Sequence, residues 1–222
     1  MLRKTFFVLI IWVSLMVTAC KPVTSSVIQD SSCSPPCWKE VVPGQTTRQE
    51  VLSILNALPE VDQSTIRPMS VVNGNDSYYW DFIPRTGDRW ARVFINQDIV
   101  FAVNFFPDKK GLPLGTAIQY LGEPENILAI YNRAEIPFLA IYTIWQSKGI
   151  VLSSSIESYH RGERAEVNSE TQVGAFWYFE PELFSELMVS MYIADINPDV
   201  LNQGIQPWMG YGEITQIIID RR

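Results

Sequence analysis

Cys20 is the residue whose position most clearly predicts chemistry in this chain of 222 residues. It follows Ala19 directly after the apolar stretch 6–17, and the positive residues Arg3 and Lys4 precede that stretch. A positive segment, a short apolar segment and a small residue are together typical of a secretory signal peptide. The apolar stretch is shorter than the roughly 20 residues that span a bilayer. The sequence therefore predicts export, with a cysteine thiol next to the cleavage site.

The segment Val17-Thr18-Ala19-Cys20 resembles the lipobox of bacterial lipoproteins. The resemblance implies a signal peptide over residues 1–19, cleavage before Cys20 and a diacylglyceryl group on the Cys20 sulfur. Two or more acyl chains, palmitate among them, hold a protein on a bilayer, because each buried methylene contributes about 0.8 kcal/mol. We expect residues 20–32 to form the lipidated cysteine and a polar, flexible tether. Two alternatives remain open: an uncleaved anchor helix, and an ordinary signal peptide followed by an unrelated cysteine.

Cys33 and Cys37 are the two cysteines that remain if Cys20 is lipidated. An even pair in an exported protein is most simply a disulfide, here closing a short loop that contains Pro35 and Pro36. A redox pair is the alternative, but the spacing is C-x3-C rather than C-x-x-C. A zinc site would need two further ligands. We predict a structural disulfide that acts as a local clamp.

No arrangement of residues typical of catalysis stands out. His160, the only histidine, lies in a hydrophilic segment, which favours a solvated side chain over a general base. Asp81 and Glu123 could serve as acid and base, but nothing in the sequence brings them together. We therefore predict a protein that is not an enzyme and that has no metal site and no cofactor.

Aromatic residues are the strongest candidates for contacts with a ligand or a partner. Most of the seven tryptophans lie in strand-like segments among apolar residues, so we expect them in the core. Trp208 and Tyr211 differ, because they lie in a glycine-rich segment. Exposed aromatic residues in loops are often contact residues. These two are the candidate contact residues, with burial in the core as the alternative.

The chain is acidic, with 17 basic and 24 acidic residues and a formal charge of −7. Without Arg3 and Lys4 the balance is 15 to 24, a formal charge of −9. An acidic body is repelled by nucleic acid phosphates and by anionic lipid headgroups. We therefore predict no nucleic acid partner. We expect the membrane contact to be the lipid anchor at Cys20, on the extracytoplasmic side of the cell membrane or outer membrane.

Apolar periodicity predicts an α+β fold of two tandem units, each a short helix followed by an antiparallel β-meander. In the first unit, residues 33–108, a capping box at Thr47 and Glu50 begins a helix that extends to about residue 57. The strands of this unit are expected at 77–83, 90–95 and 99–105, with an additional edge strand at 67–72. In the second unit, residues 109–222, we expect a helix at 114–124, strands at 126–131, 138–146, 149–156 and 173–179, a helix at 181–188, an irregular segment at 197–212 and a last strand at 214–219.

Residues 43–52, 79–82 and 92–100 (PGQTTRQEVL, YWDF and RVFINQDIV) resemble small bacterial envelope lipoproteins of the SmpA/OmlA type. The resemblance implies envelope maintenance and a topology that occurs in tandem in the β-lactamase-inhibitor-protein-like fold. Residues 36–47 (PCWKEVVPGQTT) also resemble a group of exported lipoproteins that begin P-C-W-x-x-V/I-x-P-G-x-T-T. That group implies no particular activity.

Together these observations predict a membrane-anchored extracytoplasmic lipoprotein. We expect it to act as a protein-interaction or envelope-maintenance module without catalysis, with other envelope proteins as partners. The alternative is a small-ligand or glycan-binding lipoprotein with a pocket between the two units. A hydrolase that uses two carboxylates ranks last.

Overall fold

The computed structural model describes residues 33–72, 75–82, 90–106, 111–132, 135–191 and 198–219. The predicted signal peptide, the predicted lipidation site Cys20 and the predicted tether lie outside the described residues. Within these ranges, no helix has both the length and the apolar composition needed to cross a membrane.

The described residues form mainly β-strands, with four short α-helices. The strands are β1 (Val61–Val72), β2 (Asn75–Phe82), β3 (Trp90–Asn96), β4 (Ile99–Phe105), β5 (Leu112–Pro113), β6 (Asn126–Asn132), β7 (Phe138–Trp145), β8 (Ile150–Glu157), β9 (Ala165–Val167), β10 (Gln172–Val173), β11 (Ala175–Phe179), β12 (Gln206–Pro207), β13 (Gly212–Ile214) and β14 (Ile217–Ile219). The helices are α1 (Arg48–Ala57), α2 (Leu114–Leu121), α3 (Phe184–Ser190) and α4 (Pro198–Gly204).

Ten of these strands form one sheet, in the order β1-β2-β3-β4-β11-β8-β7-β6-β12, with β14 parallel to β6. Strands β1 to β4 are one antiparallel meander, and β6 to β8 are another. Strand β11 lies between the two meanders and pairs antiparallel with both. Phe176 in β11 lies opposite Phe105 in β4 and opposite Leu152 in β8. The two meanders therefore belong to a single sheet.

The predicted α+β fold of two tandem helix-plus-meander units is wrong. The described residues form mostly antiparallel sheet with few short helices, and both meanders belong to one large sheet. Periodicity locates strands but does not specify which strand edges pair, so it missed the place of β11. Residues 198–204, expected to be irregular, form α4.

Different elements cover the two faces of the sheet. On the first face, α1, α2 and Trp38 pack on a large apolar cluster that includes Val93 and Tyr178. On the second face, α3 and α4 pack on a smaller cluster that includes Phe94 and Trp177. Successive strand residues alternate between these faces, so β3, β4, β6, β7, β8 and β11 each contribute to both clusters.

Helix α1 begins at the predicted capping box, which the structure confirms. The Thr47 Oγ1 accepts from the Glu50 N–H at 3.2 Å, and the Glu50 carboxylate accepts from the Thr47 N–H at 2.8 Å. This backbone hydrogen bond lowers the pKa of Glu50. Arg48, in the first turn, donates to Asp98 at 2.8 Å and to Asp76 at 2.5 Å. These contacts fix the start of α1 to β2 and to the β3–β4 turn.

Cys33 and Cys37 form the predicted disulfide, with an S–S distance of 2.04 Å. Trp38 follows it and is buried on the first face. Its ring centroid lies 5.6 Å from that of Trp80 and 5.9 Å from that of Phe105. Trp38 therefore attaches the first described segment to the core, and the disulfide closes the loop just before it.

Trp38 should contribute more to stability than the disulfide. We expect Trp38→Ala to lower the free energy of unfolding by about 3–5 kcal/mol, because it leaves a cavity beside Trp80 and Phe105. The double variant Cys33→Ser/Cys37→Ser should cost about 2 kcal/mol or less, since the closed loop is short. Urea unfolding of the three proteins measures both values. A larger loss from the double serine variant would contradict this ranking.

Gly149 in the β7–β8 turn allows β11 to approach closely. Its φ is 65°, and a Cβ at this position would lie 2.2 Å from the Phe179 carbonyl oxygen. Gly162 also has a positive φ, 91°, but nothing lies within 4 Å of its Cβ position. In both alanine variants the left-handed backbone conformation lowers the free energy of unfolding by about 1–2 kcal/mol. Only Gly149→Ala must also displace β11, so we expect it to lower Tm clearly more than Gly162→Ala. Equal shifts in thermal unfolding would contradict the close approach.

Candidate interaction surface

The second face carries three partly exposed aromatic rings at one end of β2, β3 and β4. Tyr79 and Trp90 have ring centroids 5.5 Å apart, and Trp90 and Phe106 have centroids 4.4 Å apart. We call Tyr79, Trp90 and Phe106 the aromatic strip. Strand alternation produces it, because the neighbouring residues Trp80 and Ala91 point to the opposite face and are fully buried there.

Charged side chains border the aromatic strip. The Arg67 guanidinium lies over the Tyr79 ring, with Cζ 4.8 Å from the ring centroid, which is a cation–π contact. The Tyr79 hydroxyl donates to Asp81 Oδ1 at 2.5 Å. Arg92 lies opposite Tyr79 on β3, is only 3% exposed and packs over the Phe94 ring. Tyr, Trp and Arg are the residue types enriched at protein interfaces.

The Tyr79 hydroxyl is held in its neutral form. Burial raises the pKa of Tyr79 to about 12, and the hydrogen bond to Asp81 and the negative charge of Asp81 act in the same direction. The positive charges of Arg67 and Arg92 oppose this shift. Tyr79 is therefore a hydrogen-bond donor throughout the neutral pH range, with its ring in the strip and its hydroxyl fixed by Asp81.

The predicted contact residues Trp208 and Tyr211 lie together, after β12 and so at the opposite end of the sheet order from β2. Their rings are perpendicular, at 85°, with centroids 5.7 Å apart. The Trp208 Nε1–H donates to Glu123 Oε2 at 2.5 Å. Trp208 is partly buried against the first-face cluster, and Tyr211 is 47% exposed. The structure thus brings the two residues together, and their role in binding stays a prediction.

The residues considered for catalysis each contact a different partner, and the structure gives no contact among these described residues. His160 is exposed, and its backbone N–H donates to the Glu163 carboxylate at 3.2 Å. Asp81 accepts from Tyr79, whereas Glu123 accepts from Trp208. Among the residues that the structure describes, no three His, Cys, Asp or Glu side chains are grouped closely enough to hold a metal ion.

A groove of about 520 Å³ lies between the disulfide loop, the end of α2 and the β7–β8 turn. Its walls include Pro35, Tyr120 and Lys148. The Lys148 ammonium donates to the Leu121 carbonyl at the end of α2, where a positive charge is favourable. Tyr120 is 39% exposed. The groove is therefore open and combines an aromatic ring, proline rings and one cation.

Sequence interpretation missed the aromatic strip. The expectation that strand tryptophans are core residues is right for Trp80, Trp145 and Trp177, which are buried. Trp90 is instead partly exposed. The sequence of β3 contained an indication of this exposure. Trp90 and the charged Arg92 are two residues apart, so their side chains lie on the same face of the strand. A charged residue on that face indicates that the face is not purely apolar.

Comparisons of this chain with protein-family models, with curated proteins and with solved structures find no match. The resemblance to SmpA/OmlA lipoproteins therefore rests on the motifs at residues 43–52, 79–82 and 92–100. These motifs form the approach to α1 with its first turn, the end of β2 and most of the β3–β4 hairpin.

Removing the charge of Asp81 should lower the pKa of Tyr79 from about 12. We expect this in Asp81→Asn, because a neutral side chain no longer disfavours the phenolate. An NMR titration of ring-labelled tyrosine measures the pKa, with Tyr79→Phe to identify the signal. The folded-state pKa lies above the unfolded value of about 10, so the stabilisation is complete below pH 10 and is lost as the pH rises toward 12. An unchanged pKa in Asp81→Asn would contradict the assigned contact.

Proposed function

We propose that this protein is a membrane-anchored extracytoplasmic lipoprotein that works as a protein-interaction or envelope-maintenance module and docks its partner on the aromatic strip. The observation that carries this proposal is the strip itself. Tyr79, Trp90 and Phe106 adjoin one another and are partly exposed on one sheet face. Aromatic side chains dominate the binding free energy of many interfaces, because they bury a large apolar area at a small cost in conformational entropy.

The charges around the strip suggest the chemistry of the partner. The body of the protein is acidic, but the exposed Arg67 places a positive charge beside the strip. A partner segment that joins apolar side chains to carboxylates would complement this surface. Such complementarity contributes mainly to the association rate and to specificity.

Attachment at Cys20 leaves the strip accessible. Trp38 holds the start of the described chain on the first face, whereas the strip lies on the second face. A flexible tether over residues 21–32 would have a mean end-to-end distance of roughly 20 Å. The strip therefore faces away from the point at which the tether joins the folded body.

Single substitutions in or beside the strip should strongly reduce specific capture of a partner. The tagged protein is crosslinked in intact membranes, and the recovered proteins are quantified for wild type, Trp90→Ala, Arg67→Ala and Tyr120→Ala. We expect wild type and Tyr120→Ala to recover the same envelope proteins, and Trp90→Ala and Arg67→Ala to recover about tenfold less, since a hot-spot residue contributes more than 1 kcal/mol. Tyr120 is the matched control, because it is an exposed aromatic residue outside the strip. Trp90→Ala lies in the strip and Arg67→Ala beside it, and we call these two the strip variants. Unchanged recovery by both strip variants, or no specific recovery by wild type, would contradict the proposal.

Cys20→Ser tests the anchor in the same experiment. We expect this variant to leave the membrane fraction while the strip variants remain in it, because only Cys20 carries the proposed acyl chains. A Cys20→Ser protein that stays in the membrane fraction as wild type does would contradict the lipoprotein assignment. The strip variants must also keep the wild-type Tm, so that lost recovery reports lost contacts rather than unfolding.

Small-ligand or glycan binding is the second candidate function, and the groove beside α2 is the observation in its favour. It combines the exposed Tyr120 ring with Pro35 and Lys148, a mixture of apolar walls and polar groups that suits a small ligand. The variants above separate the two functions. Under this alternative, Tyr120→Ala loses ligand-induced thermal stabilisation from a glycan library, whereas Trp90→Ala keeps it.

A further inference from the structure

The loop that follows β12 forms a second aromatic feature, away from the aromatic strip. The Trp208 and Tyr211 rings meet at 85° with centroids 5.7 Å apart. The Glu123 carboxylate accepts the Trp208 indole N–H at 2.5 Å. We call Trp208, Tyr211 and Glu123 the aromatic corner. Its three residues come from two segments that are distant in sequence.

The aromatic corner lies in a negative environment. Burial raises the pKa of the Tyr211 hydroxyl, and the negative charges of Glu123 and Glu170 raise it further. Both carboxylates therefore act on the same phenol. Arg164, just before β9, forms an ion pair with Glu213 of β13 at 3.8 Å. A cation that entered the corner would meet the Glu123 carboxylate beside the two aromatic rings.

The loop backbone is well defined, and its tip is open to solvent. The Trp208 N–H donates to the Glu125 carbonyl at 3.1 Å. Gly210 has φ 92° and Gly212 has φ 142°, which are backbone conformations that glycine adopts without strain. Met209, between the two aromatic residues, is 90% exposed. The loop therefore presents an apolar side chain to solvent between the two aromatic residues.

We propose that the aromatic corner binds an organic ammonium cation. The faces of aromatic rings attract cations, with tryptophan the strongest, and a carboxylate supplies the balancing charge. Carbon substituents on the nitrogen would pack against the rings. This chemistry occurs both in small quaternary amines such as choline and in lysine side chains of a partner. The inference is independent of the aromatic strip, because the two features share no residue.

A titration with choline tests the ligand chemistry directly. The observed quantity is the indole N–H NMR signal of Trp208, identified with Trp208→Phe. We expect a saturable shift at millimolar choline. The uncharged analogue, in which carbon replaces the nitrogen, should bind at least about fivefold more weakly, because it lacks the attraction to the ring faces. Equal binding of the two compounds, or no saturable shift with any cation tested, would overturn the proposal.

Three variants separate the corner from a general surface effect. Glu123→Gln keeps an oxygen acceptor for Trp208 but loses the charge, so we expect about fivefold weaker binding of choline. Tyr211→Leu should abolish the shift, and Ile136→Ala, at an exposed apolar residue outside the corner, should leave it unchanged. If Glu123→Gln and Tyr211→Leu bind choline as wild type does, the corner is not the site.

Two ligands distinguish the sources of the ammonium group. Choline and a blocked single lysine are titrated at the same ionic strength. Tighter binding of choline indicates a small quaternary amine, and tighter binding of lysine indicates a side chain of a partner protein. Binding of either one supports the site, whereas binding of neither overturns it.

Discussion

The backbone pairing of β11 with both β4 and β8 is the interaction on which the rest of the structure depends. It joins two meanders that would otherwise end in separate edges. Apolar side chains pack on both faces of the sheet at this joint, where β11 pairs with β4 and β8. Phe176 stacks on Phe105 on the first face, at 5.4 Å and 10°, and Trp177 contacts Phe94 on the second face, at 5.6 Å. Since both apolar clusters cross this joint, separating β11 from either neighbour would expose both of them.

The same alternation that builds the core also builds the aromatic strip. In β2, Trp80 points into the first-face cluster while Tyr79 points to the second face. Helices α3 and α4 cover the second-face cluster around Phe94, and the strip lies at the end of the strands beyond it. Its rings contact one another and Arg67, which limits the apolar area that they leave in water. The strip can thus remain partly exposed on a stable scaffold.

Local signals made the elements predictable, and long-range pairing made the fold unpredictable. The capping box at Thr47 and the strands expected at 90–95 and 99–105 depend on a few neighbouring residues, and the structure confirms both the helix and the paired strands. The double pairing of β11 depends on edges that come from distant parts of the chain, so no local pattern specifies it. The glycine-rich loop indicated Trp208 as a contact residue. Its partner Glu123, 85 residues away, could not be inferred from the sequence.

Site-specific photocrosslinking from the strip tests the central claim most directly. A photoreactive phenylalanine analogue replaces Phe106 in the full-length protein in intact cells, and the control carries it at position 120. The account predicts one discrete crosslinked protein from position 106 and none of that species from position 120. It also predicts that Arg67→Ala weakens the crosslink. The same crosslinked protein from both positions, or none from position 106, would contradict the claim that the aromatic strip is the docking surface.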